Sequence, residues 1–192
     1  MPPLSLEQRL EKALALLQAL PPAPAPRVLA LDGRAAAGKT TLANALAQAL
    51  HGEVIHMDDF FLPPELRTPQ RRNTPGGNVH YERFQQEVLP FLHSPKPFSY
   101  QIFQCSLGRL EGTRTVNGNA PWRLVEGAYA LHPALGNYAD FAFFCHVAPQ
   151  EQQQRILLRN GPQKAKVFQQ LWIPMEEAYI QACHPQARAI TL

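Results

Sequence analysis

Two apolar periods alternate along this chain, one helical and one strand-like. Leu6, Leu10, Leu14 and Leu17 recur at helical spacing. Ser5 followed by Gln8 forms a capping-box pattern, so a helix is predicted from Ser5 to Leu20. Pro21-Pro22-Ala23-Pro24-Ala25-Pro26 then reads as a stiff extended spacer. Arg27 to Asp32 is a short apolar run and predicts a buried strand. A glycine-rich turn follows. Lys39 to Leu50 keeps Leu42, Ala45, Leu46, Ala49 and Leu50 in helical register, and Gly52 suits the stop. Glu53 to Met57 predicts a second strand.

Residues 62–79 hold Pro63, Pro64, Pro69, Pro75, Gly76 and Gly77, and read as one long loop of the kind that is functional or mobile. Tyr81 to Leu92 predicts a helix with Phe84, Val88 and Leu92 inward, and Phe98 to Val116 a small hairpin. Trp122 to Val125 and Phe141 to Val147 predict two further core strands, the latter almost wholly apolar as parallel strands are. Gln150 to Arg159 and Val167 to Ala182 read as helices, the second disturbed at Pro174. Ala187 to Leu192 could add a fifth strand. Alternating strands and helices predict an α/β class, three layers with a five-stranded, mainly parallel sheet. The whole chain, 1–192, reads as a single domain: N-terminal helix (1–20), Pro-rich spacer (21–26) and core (27–192).

Composition narrows the functional classes. The apolar fraction is 45% and the charged fraction 17%, a globular balance. No apolar run reaches the ~18 residues of a membrane span, so no membrane partner is expected. Met1-Pro2-Pro3-Leu4 has no basic n-region, and no signal peptide is expected. The net charge of +3 comes from scattered Lys and Arg with no long basic run, which argues against nucleic acid as the partner. The three cysteines, Cys105, Cys145 and Cys183, form no C-x-x-C pair. They fit a reduced, cytoplasmic setting, with Cys145 as a small core residue. The seven histidines show no ligand spacing, so no zinc site is expected.

The chemistry begins at Gly33-Arg34-Ala35-Ala36-Ala37-Gly38-Lys39-Thr40, an ungapped G-x-x-x-x-G-K-[ST] loop. Glycines let the backbone turn its N–H groups toward phosphate oxygens. The following helix points its positive end at the same place. Lys39 supplies a mobile cation for the β- and γ-phosphates, and Thr40 a hydroxyl for Mg²⁺. Four fixed positions recur by chance in roughly one chain in a hundred of this length. The strand before and the amphipathic helix after make chance a poor explanation. The loop from Gly33 to Thr40, with Thr41 after it, is therefore the expected nucleotide site; ATP or GTP fits it, and the expected fold is a three-layer P-loop NTPase domain.

Ligands of open parallel sheets bind beyond the carboxyl ends of the strands. Asp58, Asp59 and Glu126 fall there. A phosphoryl acceptor needs a carboxylate to take its hydroxyl proton, and Mg²⁺ needs oxygen ligands. One acid near the acceptor and one near the metal would meet both needs, with Asp59 alternatively a cap or a solvated turn residue.

Taken together, Asp-Gly-Arg-Ala-Ala-Ala-Gly-Lys-Thr-Thr at 32–41, His-Met-Asp-Asp-Phe-Phe at 56–61, Gly-Asn-Val-His-Tyr-Glu-Arg-Phe at 77–84 and Val-Glu-Gly-Ala-Tyr at 125–129 resemble the uridine kinase family of P-loop kinases. The resemblance extends over about residues 27–180 and is closest to the bacterial uridine-kinase-like branch, whose members need not share uridine as substrate. It implies an ATP- and Mg²⁺-dependent kinase that phosphorylates a hydroxyl of a nucleoside or similar acceptor. Asp58 would sit beside the acceptor hydroxyl and the metal, Glu126 on the metal side with Thr40. Lys39, Arg155 and Arg159 would stabilise the transferred phosphoryl group, the two arginines from the start of a mobile lid. A solvated helix face is the plainer reading of that pair. Asn78 lies in the acceptor-contacting segment. His80 stands where the family carries an aspartate that binds sugar hydroxyls, and Phe103 stands near its base-pocket tyrosine. An imidazole cannot replace a carboxylate that accepts two hydrogen bonds. The other class to weigh is a nucleotide-binding regulatory or scaffold protein with a degenerate acceptor site. The N-terminal helix could cover the sheet or join a homo-oligomer.

Overall fold

β1 (Arg27–Gly33) lies at the centre of the sheet because both its faces are apolar and buried. The structure, a computed structural model, describes residues 4–192; Met1 to Pro3, on which the signal-peptide expectation partly rests, lie outside the described residues. Leu29 and Leu31 face one core and Val28 faces the other, the period-2 alternation of a central strand. β5 (Trp122–Glu126) and β6 (Phe141–Cys145) flank it in parallel register. β2 (Glu53–His56) and β7 (Ile190–Thr191) complete a five-stranded, wholly parallel sheet in the order β2-β5-β1-β6-β7. The predicted α/β class and five strands are what the chain forms.

The N-terminal helix covers one face of this sheet. Ala13 and Leu17 of α1 (Leu6–Gln18) pack with Leu42, Ala43 and Leu46 of α2 (Lys39–Leu50) and with Leu29, Leu31 and Phe143. The Ser5/Gln8 capping box is present, with Gln8 N–H donating to Ser5 Oγ at 3.2 Å. The buried stripe of α1 is Arg9, Ala13 and Leu17 rather than the expected leucine face; Leu6 is exposed and Leu10 and Leu14 only half-buried.

The other face carries Phe84, Tyr179 and Ile180 against Val28, Ile55 and Val125. α4 (Tyr81–Glu87) is shorter than the predicted helix because Pro90 cannot continue it, and a 3₁₀ turn takes over at Leu89–Phe91. The expected loop at 62–79 contains its own helix, α3 (Pro69–Asn73), capped by Thr68. Arg71 ties it down, donating to the carbonyls of Gly77 (2.9 Å) and Val79 (2.9 Å) and pairing with Glu82 (2.7 Å). α5 (Pro149–Val167) is broken at Gly161, whose φ of 75° only glycine adopts freely, and Pro162 restarts the helix. At Pro174 the predicted disturbance takes the form of a π turn, Phe168–Trp172, ahead of α6 (Ile173–Cys183).

β3 (Phe98–Gln104) and β4 (Arg109–Val116) form the expected hairpin outside the main sheet. Asp59 fastens it. Its Oδ2 accepts from Tyr100 Oη and Arg114 Nε, each at 3.1 Å. Asp59 is thus neither a cap nor solvated, but an inward hook.

Replacing Asp59 with alanine strands the buried Tyr100 hydroxyl and frees the hairpin. A loss of about 1–3 kcal/mol is expected, lowering the melting temperature by roughly 2–12 °C for a chain of this size. Thermal unfolding of Asp59→Ala checks this; an unchanged midpoint contradicts it.

Candidate active site at the strand ends

Gly33 brings the phosphate loop into the sheet. A Cβ there would lie 2.1 Å from the Cys145 carbonyl oxygen, so β1 and β6 approach this closely only with glycine. Beside it, Asp32 is buried and accepts four hydrogen bonds: from the N–H groups of Gly33 (2.6 Å), Tyr129 (3.0 Å) and Leu131 (2.9 Å), and from Tyr179 Oη (2.6 Å). Burial raises its pKa above the usual carboxylate value, and the donors offset part of that rise. Four donors aimed at two oxygens suit the carboxylate, not the acid.

The loop then turns into α2 at Gly38, which has a left-handed φ of 83° and leaves the helix without a side-chain cap. Leu42 N–H closes the first turn on Gly38 O. Among the described residues the N–H groups of Ala36, Gly38, Lys39 and Thr40 engage no protein acceptor, and Lys39 Nζ donates to the carbonyls of Gly33 and Arg34, both at 2.9 Å. An uncapped helix start with adjacent free N–H groups is an anion-binding geometry.

Thr40, in the first turn of α2, meets Glu126, at the end of β5. Thr40 Oγ1 donates to Glu126 Oε2 at 3.1 Å, and His56 Nδ1 lies 2.5 Å from Glu126 Oε1. That bond raises the pKa of His56 over the opposing effect of burial. Among the described residues no cluster of three or more His, Cys, Asp or Glu forms a protein cage for a metal. A hydroxyl and one carboxylate instead match the donor set of Mg²⁺, which keeps waters and phosphate oxygens as its other ligands. Asp58 follows β2 in a 3₁₀ turn, Met57–Phe60. Asp58 lies two residues beyond His56 and is exposed at the surface; the protein crowded around it still raises its pKa first and the Glu126 charge next, while Lys39 and His56 pull it down. These neighbours mark Asp58 as part of the same cluster.

The remaining sequence candidates divide. Asn78 is buried, and its Oδ1 has no partner. His80 accepts the Arg83 N–H on Nδ1 at 3.3 Å and so caps α4. Phe103 is buried in the hairpin with the Arg67 guanidinium 5.9 Å from its ring centre. Arg155 Nη1 reaches the loop and donates to Ala36 O at 3.0 Å, whereas exposed Arg159 bonds Asn160. Phe61 stacks on Trp172 at 6.3 Å, bringing the π turn to the end of β2. Thr41 opens α2 without a side-chain hydrogen bond of its own.

Several contacts with the loop lay outside the motif reading. Glu176 accepts the Ala35 N–H at 2.6 Å, Gln152 donates to Ala35 O at 3.1 Å, Arg9 donates to Ala37 O, and Arg34 pairs with Glu177. Arg9 carried one signal: it stands in line, at i and i+4 spacing, with Ala13 and Leu17. A depression of about 580 Å³ lined by Leu131, Tyr138, Asp140 and Arg188 shares none of the loop residues.

No protein-family model and no curated protein sequence matches the chain. Solved structures do. A possible uridine kinase from Bacillus stearothermophilus superposes with a TM-score of 0.74 at 21% identity, covering 97% of this chain and 98% of that one. A proposed fructose transport system kinase from Silicibacter sp. TM1040 gives the same TM-score of 0.74 and 21% identity, over 99% and 100%. YFH7 from Saccharomyces cerevisiae, a proposed P-loop kinase with a circular permutation, gives 0.67 at 10% identity, over 98% and 99%. The chain has the three-layer α/β fold of the P-loop kinases.

Proposed function

We propose that this protein is an ATP-dependent small-molecule kinase, uridine-kinase-like, that transfers the γ-phosphoryl group to a hydroxyl of a nucleoside or similar polyol. One observation carries the reading: free loop N–H groups, Lys39, the Thr40–Glu126 pair and Asp58 converge beyond the carboxyl ends of β1, β2 and β5. A pure nucleotide-binding module has no need of Asp58 there. The sugar and nucleoside named for the two bacterial neighbours support a polyol acceptor.

The residues divide the work. The N–H groups of Ala36, Gly38, Lys39 and Thr40 hold phosphate oxygens in a geometry that needs no rearrangement during transfer. Lys39 exchanges its two carbonyl partners for phosphate. Thr40 and Glu126 would hold Mg²⁺, and Asp58 would contribute to the charge around it. When bound, Mg²⁺ neutralises charge on the phosphates. Asp58 orients the acceptor hydroxyl and takes its proton. Asn78, with an unpaired buried oxygen, suits contact with the acceptor. Arg155 lies at the lip of the loop, whereas Arg159 is exposed and bonds Asn160.

A second reading is a nucleotide-binding regulatory or scaffold protein with a degenerate acceptor site. The capping duty of His80 and the burial of Phe103 favour it, since neither offers a free group in place of the expected carboxylate and phenol. An ATP-consumption screen over nucleosides, sugars and vitamin alcohols separates the two. Acceptor-dependent ADP release supports the kinase, and none with any acceptor supports the scaffold.

Asp58→Asn is expected to keep ATP binding and lose turnover by about a hundredfold or more, the usual scale for removing a general base. Steady-state kinetics beside nucleotide titration checks this. If Asp59→Asn were the inactive variant and Asp58→Asn were active, the assignment of the base would be wrong.

Uridine is expected to be a poor acceptor. Two polar contacts are absent, each worth about 1–3 kcal/mol, which lowers catalytic efficiency by about 10² to 10⁴. His80→Asp tests this cleanly, because aspartate also caps a helix and α4 keeps its start. Kinetics with uridine and cytidine should improve in His80→Asp. Efficient uridine phosphorylation by the unmodified protein would contradict the expectation.

A further inference from the structure

The outer side of the phosphate loop is bonded at successive peptides, by side chains of α1, α5 and α6 and by the loop itself. Ala35 N–H donates to Glu176 and Ala35 O accepts from Gln152. Ala36 O accepts from Arg155, while Ala37 N–H donates back to Arg34 O at 3.1 Å. Ala37 O accepts both Nη1 and Nη2 of Arg9, each at 2.9 Å. Across a trans peptide the carbonyl and the next N–H point in opposite directions. A carbonyl held from outside therefore aims the following N–H inward. Gln152 does this for the N–H of Ala36, and Arg9 for the N–H of Gly38. These are two of the four loop donors that no protein group takes up.

Arg9 stands out among these partners. It is 8% exposed, it comes from α1 across the proline spacer, and among the described residues no carboxylate pairs with it. A guanidinium taken from water without a counter-charge is costly, and an apolar residue at this place on the α1 stripe would cover α2 at less cost. Its recorded partner is the Ala37 carbonyl. The guanidinium also lies against Gly38: a Cβ on that glycine would be 3.1 Å from Arg9 Nη2. A buried, unneutralised cation behind an anion site lends it positive potential, and a charged donor on a carbonyl polarises the same peptide's N–H.

We infer that Arg9 is a positioning residue for the nucleotide phosphates, acting through the Ala37–Gly38 peptide. It fixes the direction of the Gly38 N–H and adds its charge behind the loop. The inference rests on the reading of this loop as the nucleotide site.

Titration calorimetry with Mg·ADP on the full chain, its Arg9→Ala and its Arg9→Lys variants tests it. Removing a charge-assisted pair of hydrogen bonds should weaken binding about tenfold to a hundredfold in Arg9→Ala. Arg9→Lys should lose less, because an ammonium keeps the charge but not the two-pronged geometry. Millimolar guanidinium should restore part of the affinity of Arg9→Ala. A residue that merely secured α1 would lower the melting temperature and the binding stoichiometry, leaving the Kd of the folded fraction at the parent value. That result overturns the inference. If Arg9→Ala does not fold, Arg9→Lys carries the test, and a parent-like Kd in it is equally fatal. A parent chain that binds no Mg·ADP removes the nucleotide reading and the inference together. A parent that binds while both variants bind equally well removes the inference alone.

Discussion

A single buried carboxylate, Asp32, holds the active end of the sheet together. It ends β1, and its two oxygens take donors from the segment after β5 (Tyr129 and Leu131) and from α6 (Tyr179). Those are the chains that bring Glu126 and Glu176 to the loop. Taking a carboxylate out of water is costly, and four donors with no competing water are what make it tolerable. The geometry next to it is equally constrained, because Gly33 presses on the Cys145 backbone where no side chain fits. Loop position is therefore set within the chain itself, by strand packing and by Asp32.

The loop itself is built from two sides. Its inner side presents backbone donors at the uncapped start of α2, next to Thr40, Glu126 and Asp58. Its outer side is occupied by Arg9, Gln152, Arg155 and Glu176, whose bonds leave the inner donors pointing one way. Burial raises the pKa of Glu176, and its donors, Ala35 N–H and Gln152 Nε2, offset that in part. Catalysis of phosphoryl transfer depends mainly on positioning and electrostatics, so fixed donors of this kind are the main contribution a protein can make.

Much of this was legible in the sequence, and the parts that were not share one cause. Residues 33–40 form a local motif whose chemistry follows from spacing alone, and the apolar runs at 27–32, 122–125 and 141–147 could only be core strands. Asp58 and Glu126 stand out in the sequence because each follows such a strand. Arg9, Gln152 and Glu176 act on loop carbonyls and N–H groups 28, 117 and 141 residues away. Side-chain bonds to a distant backbone leave no periodic trace. Asp59 read as a cap or a turn residue for the same reason: its partners, Tyr100 and Arg114, lie in the hairpin. α3 was hidden among prolines, since a five-residue helix held by Arg71 has no apolar period to read. The capping of α4 by His80 Nδ1 is equally hidden in the sequence, since histidine caps helices less often than Ser, Thr, Asp or Asn.

The account turns on which loop N–H groups are free to meet phosphate. Amide ¹H–¹⁵N spectra recorded as Mg·ADP is added read that directly. The expected result is large shifts at Gly38, Lys39, Thr40 and Ala36, with small ones at Ala35 and Ala37, whose N–H groups are already bonded to Glu176 and Arg34. Shifts largest at Ala35 and Ala37, or no shifts in the loop at all, would contradict it.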